Sequence, residues 1–389
     1  MRPERTTQVY STGITAASKS ALLEIMTALR AYHDALVLVG GWVPYFLLEE
    51  HRPPGDSFVH VGSIDIDLAV DPAQLSESQY ATIVQLLRER GYEPAPDRLG
   101  DRIPNSFDRT IVSPIDRKSY TIRVDFLTHW DDPRPGEHRH LPVQDGLLAR
   151  KTRGCETAFQ HMTTFDLSGT LPGGGEITVP ITIADVVGCL TMKGIVLGER
   201  YREKDAYDIY AVVAHYKQGP RDVATALRPC LSEPLVKEAI ARIHTAFSTR
   251  ESNGPAWVAT FLGPASPTDR HRLITDAFMT IHELDVLLFN EQVSARPIPD
   301  GRSSTPQEEI LRWKGRTVTV VTRGKKLGST KPLSEKYRAS HECRVEECTP
   351  HYVRLFDLAT NEYASEPLGN VSITTDEAKH RLMLVVRER

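Results

Sequence analysis

Cysteine is scarce in this chain. Its five residues, Cys155, Cys189, Cys230, Cys343 and Cys348, are odd in number and widely spread over 389 positions. That spacing excludes a disulfide framework and points to a reducing compartment, the cytoplasm. Long apolar runs are missing too. No stretch approaches the roughly 18 apolar residues of a membrane span, and the N-terminus has charges without a signal peptide's apolar core. No membrane partner is expected. Nor is there a large excess of one charge, with 47 Lys and Arg against 51 Asp and Glu. Repeats and low-complexity tracts are absent. What remains is an ordinary globular composition, 25% charged and 40% hydrophobic, long enough for two or three domains.

The chain is organised around Leu36 to Val70. An apolar strand, Leu36 to Val39, runs into Gly40-Gly41 and a helix from Trp42 to Glu50. After a loop holding Pro53-Pro54-Gly55 comes a second strand, Ser63-Ile64-Asp65-Ile66-Asp67-Leu68-Ala69-Val70. Strand side chains alternate between faces, so Asp65 and Asp67 point one way while Ile64, Ile66 and Leu68 point into the core. Two carboxylates on one face repel unless a cation lies between them, and Mg²⁺ is the usual solution when phosphates are also bound. Backbone N–H groups at a Gly-Gly turn opening a helix form a site for phosphate. A third carboxylate is needed for two metals. Asp125, in Thr121-Ile122-Arg123-Val124-Asp125-Phe126-Leu127, supplies it if the two strands are neighbours. Asp116, in a turn-like segment, is the weaker rival.

The order of the remaining elements divides the chain. Residues 1–17 are polar and read as loose, and Leu22, Ile25, Met26 and Leu29 mark an amphipathic helix. A helix is expected from about Ser76 to Arg90, then strands around Thr110–Val112 and Tyr120–Leu127. The expected core therefore spans 18–165. Residues 166–293 read mainly as helix, after a short alternating strand at Glu176–Ile183, and Thr182 with Asp185 forms an N-cap pattern for a helix from about Ala184. A linker rich in Pro, Gly, Ser and Arg covers 294–307. Short runs at Thr317–Val321, Cys343–Val345, Tyr352–Leu358, Val371–Thr374 and Leu382–Val386 predict a small β-barrel or sandwich over 308–389. The fold class is α+β.

Gly40-Gly41, Asp65-x-Asp67 and Asp125 resemble the DNA polymerase β-type nucleotidyltransferase superfamily. Lys193, Arg200 and Lys204-Asp205-Ala206-Tyr207-Asp208-Ile209-Tyr210 narrow the likeness. Together they resemble the AbiEii-type nucleotidyltransferase toxins of type IV toxin–antitoxin systems, over roughly residues 20–290. That resemblance implies a nucleotidyltransferase fold, a mixed sheet with flanking helices, followed by a helical domain. It implies two Mg²⁺ or Mn²⁺ ions on Asp65, Asp67 and Asp125, with Asp125 helping to activate the acceptor hydroxyl. Gly40, Gly41 and Ser63 would hold the phosphates of an NTP, and Lys193 and Asp205 would support the nucleotide or the catalytic strand. Independently of it, Asp205 and Asp208 share a helix face, Lys204 is placed to pair with Asp208, and Lys193 is a point charge suited to a triphosphate. Two features depart from the pattern: the gap from Gly41 to Asp65 is long, and Val61-Gly62 stand where relatives often place a basic residue.

The implied function is transfer of a nucleotide to an acceptor hydroxyl, with RNA such as a tRNA 3′ end as acceptor, growth arrest as outcome and an antitoxin as partner. Modification of a protein side chain is the second enzymatic reading, and a non-catalytic nucleotide- or partner-binding module is the alternative from another class. Two further features stand outside the resemblance. Residues 312–338 hold nine Lys and Arg against the single acid Glu335, which suits either a nucleic-acid backbone or an acidic protein face. His341-x-Cys343-x4-Cys348-x2-His351 has zinc-ligand residue types at an uncommon spacing. His129, His138 and His140 lie in a loop rich in Pro and Asp and are expected to be solvated.

Overall fold

In a computed structural model the chain divides into two compact units, Met1–Arg296 and Pro297–Arg389. The structure describes residues 6–53, 55–75, 81–97, 99–130, 138–197 and 202–289 of the first unit. In the second it describes 310, 314, 317–323, 326–327, 338–348, 352–360, 362–367, 371–376 and 381–387.

The first unit opens with α1 (Thr12–Ala28), β1 (Leu36–Val39), α2 (Trp42–His51), β2 (Asp65–Val70) and α3 (Ile83–Arg88). Strands β3 (Glu93–Pro96), β4 (Arg102–Val112), β5 (Ser119–Thr128), β6 (His140–Gln144) and β7 (Leu147–Lys151) follow, then α4 (Cys155–Gln160), β8 (Met162–Thr170) and β9 (Glu176–Ala184). The strands form one mixed sheet in the order β3-β4-β5-β2-β1-β9-β8, with β7 also on β5 and β6 on β7. All four residues of β1 are buried, as a central strand covered on both faces requires. Helix α1 starts at Thr12, within the segment expected to be loose. Its small first residues have weak helix propensity, so packing decides: a Cβ on Gly13 would lie 2.2 Å from the Asp116 carboxylate. Thr82 and Gln85 form a reciprocal capping box that starts α3 at Ile83, later than the pattern predicts.

Strand β9 lies parallel to β1 and pairs antiparallel with β8. The sheet therefore continues to Ala184, past residue 165. Helices α5 (Val186–Val196), α6 (Arg202–His215), α7 (Pro220–Leu227), α8 (Pro234–Ala246), α9 (Asn253–Leu262) and α10 (Pro267–Phe289) complete the unit. Asp185 caps α5, its carboxylate accepting from the N–H groups of Val187 and Gly188. No helix among the described residues is long and apolar enough to cross a membrane.

The second unit holds β10 (Thr317–Arg323), β11 (Arg338–Cys348), β12 (Tyr352–Asp357), β13 (Glu362–Pro367), β14 (Val371–Asp376) and β15 (Arg381–Arg387). They form a single sheet in the order β13-β12-β11-β10-β15-β14, antiparallel except for β10 with β15. Among the described residues the expected barrel or sandwich is thus replaced by one sheet, with β13 and β14 at the ends of its strand order. The sequence pattern missed β13 because Glu362 to Pro367 lacks a run of β-branched residues. Val318, Val320, Cys343, Val345, Val353 and Leu355 make its core.

Candidate active site

The parallel pairing of β2 with β5 sets Asp67 beside Asp125, and Asp65 beside Arg123. Ile66, Leu68, Val124 and Phe126 are fully buried on the opposite side of these strands, which fixes the direction of the acids. All three carboxylates line one cavity of about 520 Å³, with Gly40, Gly41, Ser63, Lys193, Lys204 and Asp205 also on its wall. That volume suits a nucleotide-sized ligand. Asp116 sits exposed in the turn between β4 and β5, where it accepts from the Tyr120 hydroxyl at 2.6 Å, and does not line the cavity.

The Gly40-Gly41 turn is shaped around these acids. Gly40 has φ +75°, and a Cβ there would lie 2.1 Å from Asp67 Oδ2. A Cβ on Gly41 would lie 2.6 Å from Ser63 Oγ. Glycine is therefore needed both for the left-handed backbone and for the close approach of Asp67. Gly40→Ala is expected to displace the Asp67 carboxylate and to cost about 1–2 kcal/mol from the backbone alone. Urea unfolding and calorimetric Mn²⁺ titration check this. Wild-type stability together with wild-type Mn²⁺ affinity would show that the close approach is unimportant.

Ser63 donates to Asp65 Oδ1 at 2.8 Å, so its hydroxyl orients a carboxylate in this state. Ser106, paired with Asp125 across β4 and β5, donates to that acid in the same way. Burial raises the Asp125 carboxyl above its ordinary range, and Asp65 adds to the shift. The Ser106 hydroxyl and the Arg150 guanidinium oppose it. Arg123 is tied to Asp108 through two bonds of 2.8 and 2.7 Å. Arg150, by contrast, makes no ion pair with any described residue, and it also faces the cavity. Neither Ser106 nor Arg150 stands out in the sequence, since each becomes a site residue only through strand pairing.

One wall of the cavity is a buried cluster of two cations and two anions. Lys193 Nζ is 2.8 Å from Asp205 Oδ1 and 2.7 Å from Asp208 Oδ2, and Lys204 Nζ is 2.5 Å from Asp208 Oδ1. Tyr10, Tyr207 and Phe261 surround the Lys204 ammonium at 5.3, 5.6 and 5.9 Å from their ring centres. Burial works against the charged form of every member. For Lys193 the two carboxylates overcome it and hold the ammonium well above its ordinary range. For Asp208 burial is outweighed by Lys193, Lys204 and His60, which hold the carboxyl well below it. The sequence placed Asp205 and Asp208 on one face and paired Lys204 with Asp208, as observed. Lys193 differs from the free point charge expected, because two of its three N–H directions are occupied by carboxylates.

His60 is a member that the sequence did not single out, being a lone histidine in a loop. Its Nε2 meets Asp208 Oδ1 at 2.9 Å, and its Nδ1 accepts from the Gly62 N–H at 3.1 Å. The ring is therefore neutral with its proton on Nε2. Burial, with Lys204 adding to it, lowers the His60 pKa from 6.5 to about 4. The unfolded imidazole takes up a proton from about 6.5 downwards while the folded one does not. Stability should therefore fall as pH falls from about 6.5 toward about 4. His60→Gln, which retains a donor to Asp208, should flatten that slope in urea unfolding across pH. An unchanged slope would assign the pH dependence to other groups.

The remaining sequence candidates do not gather here. His140 Nε2 lies 3.2 Å from Asn105 Oδ1, while 131–137 of its loop lie outside the described residues. In the second unit His341 Nδ1 pairs with Asp357 Oδ2 at 2.7 Å and Cys343 is buried. His351 and the Cys348 side chain lie outside the described residues, as does most of 312–338. No known family model matches the chain, and no curated protein matches it.

Proposed function

We propose that the first unit is a divalent-metal-dependent nucleotidyltransferase that moves a nucleotide from an NTP to an acceptor hydroxyl. The observation that carries this reading is the in-register pairing of Asp67 with Asp125, two residues along from Asp65, in a nucleotide-sized cavity bounded by the Gly40-Gly41 turn. The donor set fits hard cations: three carboxylates converge, and burial disfavours the charge of Asp125 unless a positive species joins it. Asp65, Asp67 and Asp125 would hold Mg²⁺ or Mn²⁺, which when bound neutralises phosphate charge and eases deprotonation of the acceptor hydroxyl.

The chain's own residues divide the other tasks. Ser63 and Ser106 fix the rotamers of Asp65 and Asp125. The turn at Gly40-Gly41 offers backbone N–H groups at the start of α2 to the NTP phosphates. Arg150, across the acids from that turn, offers a guanidinium to an anionic acceptor or product. Lys193 and Asp205 brace the cavity wall and leave the third N–H direction of Lys193 for ligand. The acceptor proposed is RNA, such as a tRNA 3′ end, with growth arrest as the consequence and an antitoxin as partner, as the AbiEii-type resemblance implies.

Induced wild-type protein should then stop growth, while Asp67→Asn accumulates harmlessly. Asp67→Asn is a cleaner control than Lys193→Ala, which would leave two buried carboxylates without their shared cation. Undiminished growth at confirmed expression of wild type would favour a non-toxic binding module.

A further inference from the structure

His161, Cys230 and Glu233 come together outside the lining of the carboxylate cavity and have no part in the chemistry proposed for it. Their ligand atoms all lie within 4.8 Å of one another, and all three residues are half-buried. His161 follows α4 and leads into β8, whereas Cys230 and Glu233 belong to the turn between α7 and α8. That turn is closed by a bond from the Glu233 N–H to the Cys230 carbonyl at 3.0 Å, so one backbone feature presents both side chains. His161 Nε2 meets Glu233 Oε2 at 2.8 Å. We propose that His161, Cys230 and Glu233 form a zinc site that links the sheet edge to the helical layer.

The donor set is the first argument. One imidazole, one thiolate and one carboxylate suit borderline-soft Zn²⁺ and do not suit Mg²⁺ or Ca²⁺. Without an ion the three make a His–Glu pair beside a thiol that donates weakly to the Ala226 carbonyl at 3.9 Å, whereas a divalent cation would engage all three donors at once. Binding forms an S–Zn bond and releases the thiol proton to solvent.

Geometry is the second argument. Donors at ~2.0–2.3 Å from a tetrahedral zinc lie roughly 3.3–3.7 Å apart. The pair at 2.8 Å would open slightly and the wider contacts would close, which side-chain rotation alone can supply. Partial exposure leaves the fourth position to water. The location also matters, because the His161 carbonyl accepts from the Asp185 N–H at 2.9 Å and Asp185 caps α5. Zinc would therefore fix the start of the helix that carries Lys193.

Cobalt titration of the full chain tests this, since a thiolate on Co²⁺ gives a near-ultraviolet charge-transfer band. The band should appear in wild type and Asp67→Asn, and equimolar Zn²⁺ should bleach it. Cys230→Ser should abolish it, and His161→Ala and Glu233→Gln should each weaken Co²⁺ binding at least tenfold. Should Cys230→Ser fail to fold, the other two variants decide. Absence of the band in wild type, its survival in Cys230→Ser, or undiminished affinity in both other variants would overturn the proposal.

Discussion

Asp67→Asn is expected to fold as wild type does and to lose nucleotide transfer by about a thousandfold, or ~4 kcal/mol of barrier. The replacement is nearly isosteric, and Asp67 lines a cavity with its carboxylate close against Gly40. What it removes is charge at the point where β2 and β5 bring two carboxylates into register. Asp65→Asn and Asp125→Asn should behave alike if, as proposed, the three acids share the same ions. Single-turnover transfer with Mn²⁺ or Mg²⁺, beside urea unfolding of each variant, separates chemistry from folding. A loss below tenfold in a folded Asp67→Asn protein would remove Asp67 from the metal site.

The second large effect concerns stability. Asp208 is fully buried and receives Lys193, Lys204 and His60 at once. Asp208→Ala would leave two buried ammonium groups with Asp205 as their one remaining carboxylate in the cluster. Breaking a buried ion pair from one side typically costs about 3–5 kcal/mol, more than the pair itself contributes when intact. Asp208→Ala should therefore approach global unfolding at ordinary temperature. Removing a cation together with the anion, in Lys204→Met with Asp208→Asn, should recover most of the loss. Urea unfolding of the single and double variants measures both. A single variant within about 1 kcal/mol of wild type would show that the cluster relaxes or admits water.

Much of the site was legible because strands alternate with period two. Asp65, Asp67 and Asp125 each sit between core residues, so their direction followed from Ile66, Leu68, Val124 and Phe126. Their meeting required β2 and β5 to be neighbours, which no local pattern states. The i, i+3 and i, i+4 spacings of Lys204, Asp205 and Asp208 likewise showed which side chains share a helix face. The ion pairs of Lys193 stayed hidden, because they join α5 to α6 through tertiary packing. His60 and Arg150 gave no signal, one from a loop and the other from the short strand β7. Strand β8 was missed because Leu167 alone in Met162–Thr170 is fully buried, so its pattern reads as polar loop. Its partner β9 was found from Val179, Ile181 and Ile183, which are buried in alternation. The extent of the sheet was misjudged accordingly.

The central claim is that this cavity transfers nucleotides, and label transfer tests it most directly. Purified full-length protein is incubated with Mg²⁺ or Mn²⁺, each α-³²P-labelled NTP in turn, and total cellular RNA plus protein. Wild type should place label in the RNA fraction with at least one NTP, in a reaction that chelator stops and Asp67→Asn does not perform. Label in the protein fraction alone would keep the enzyme and change the acceptor. No label in either fraction from folded, metal-supplied wild type would contradict the account.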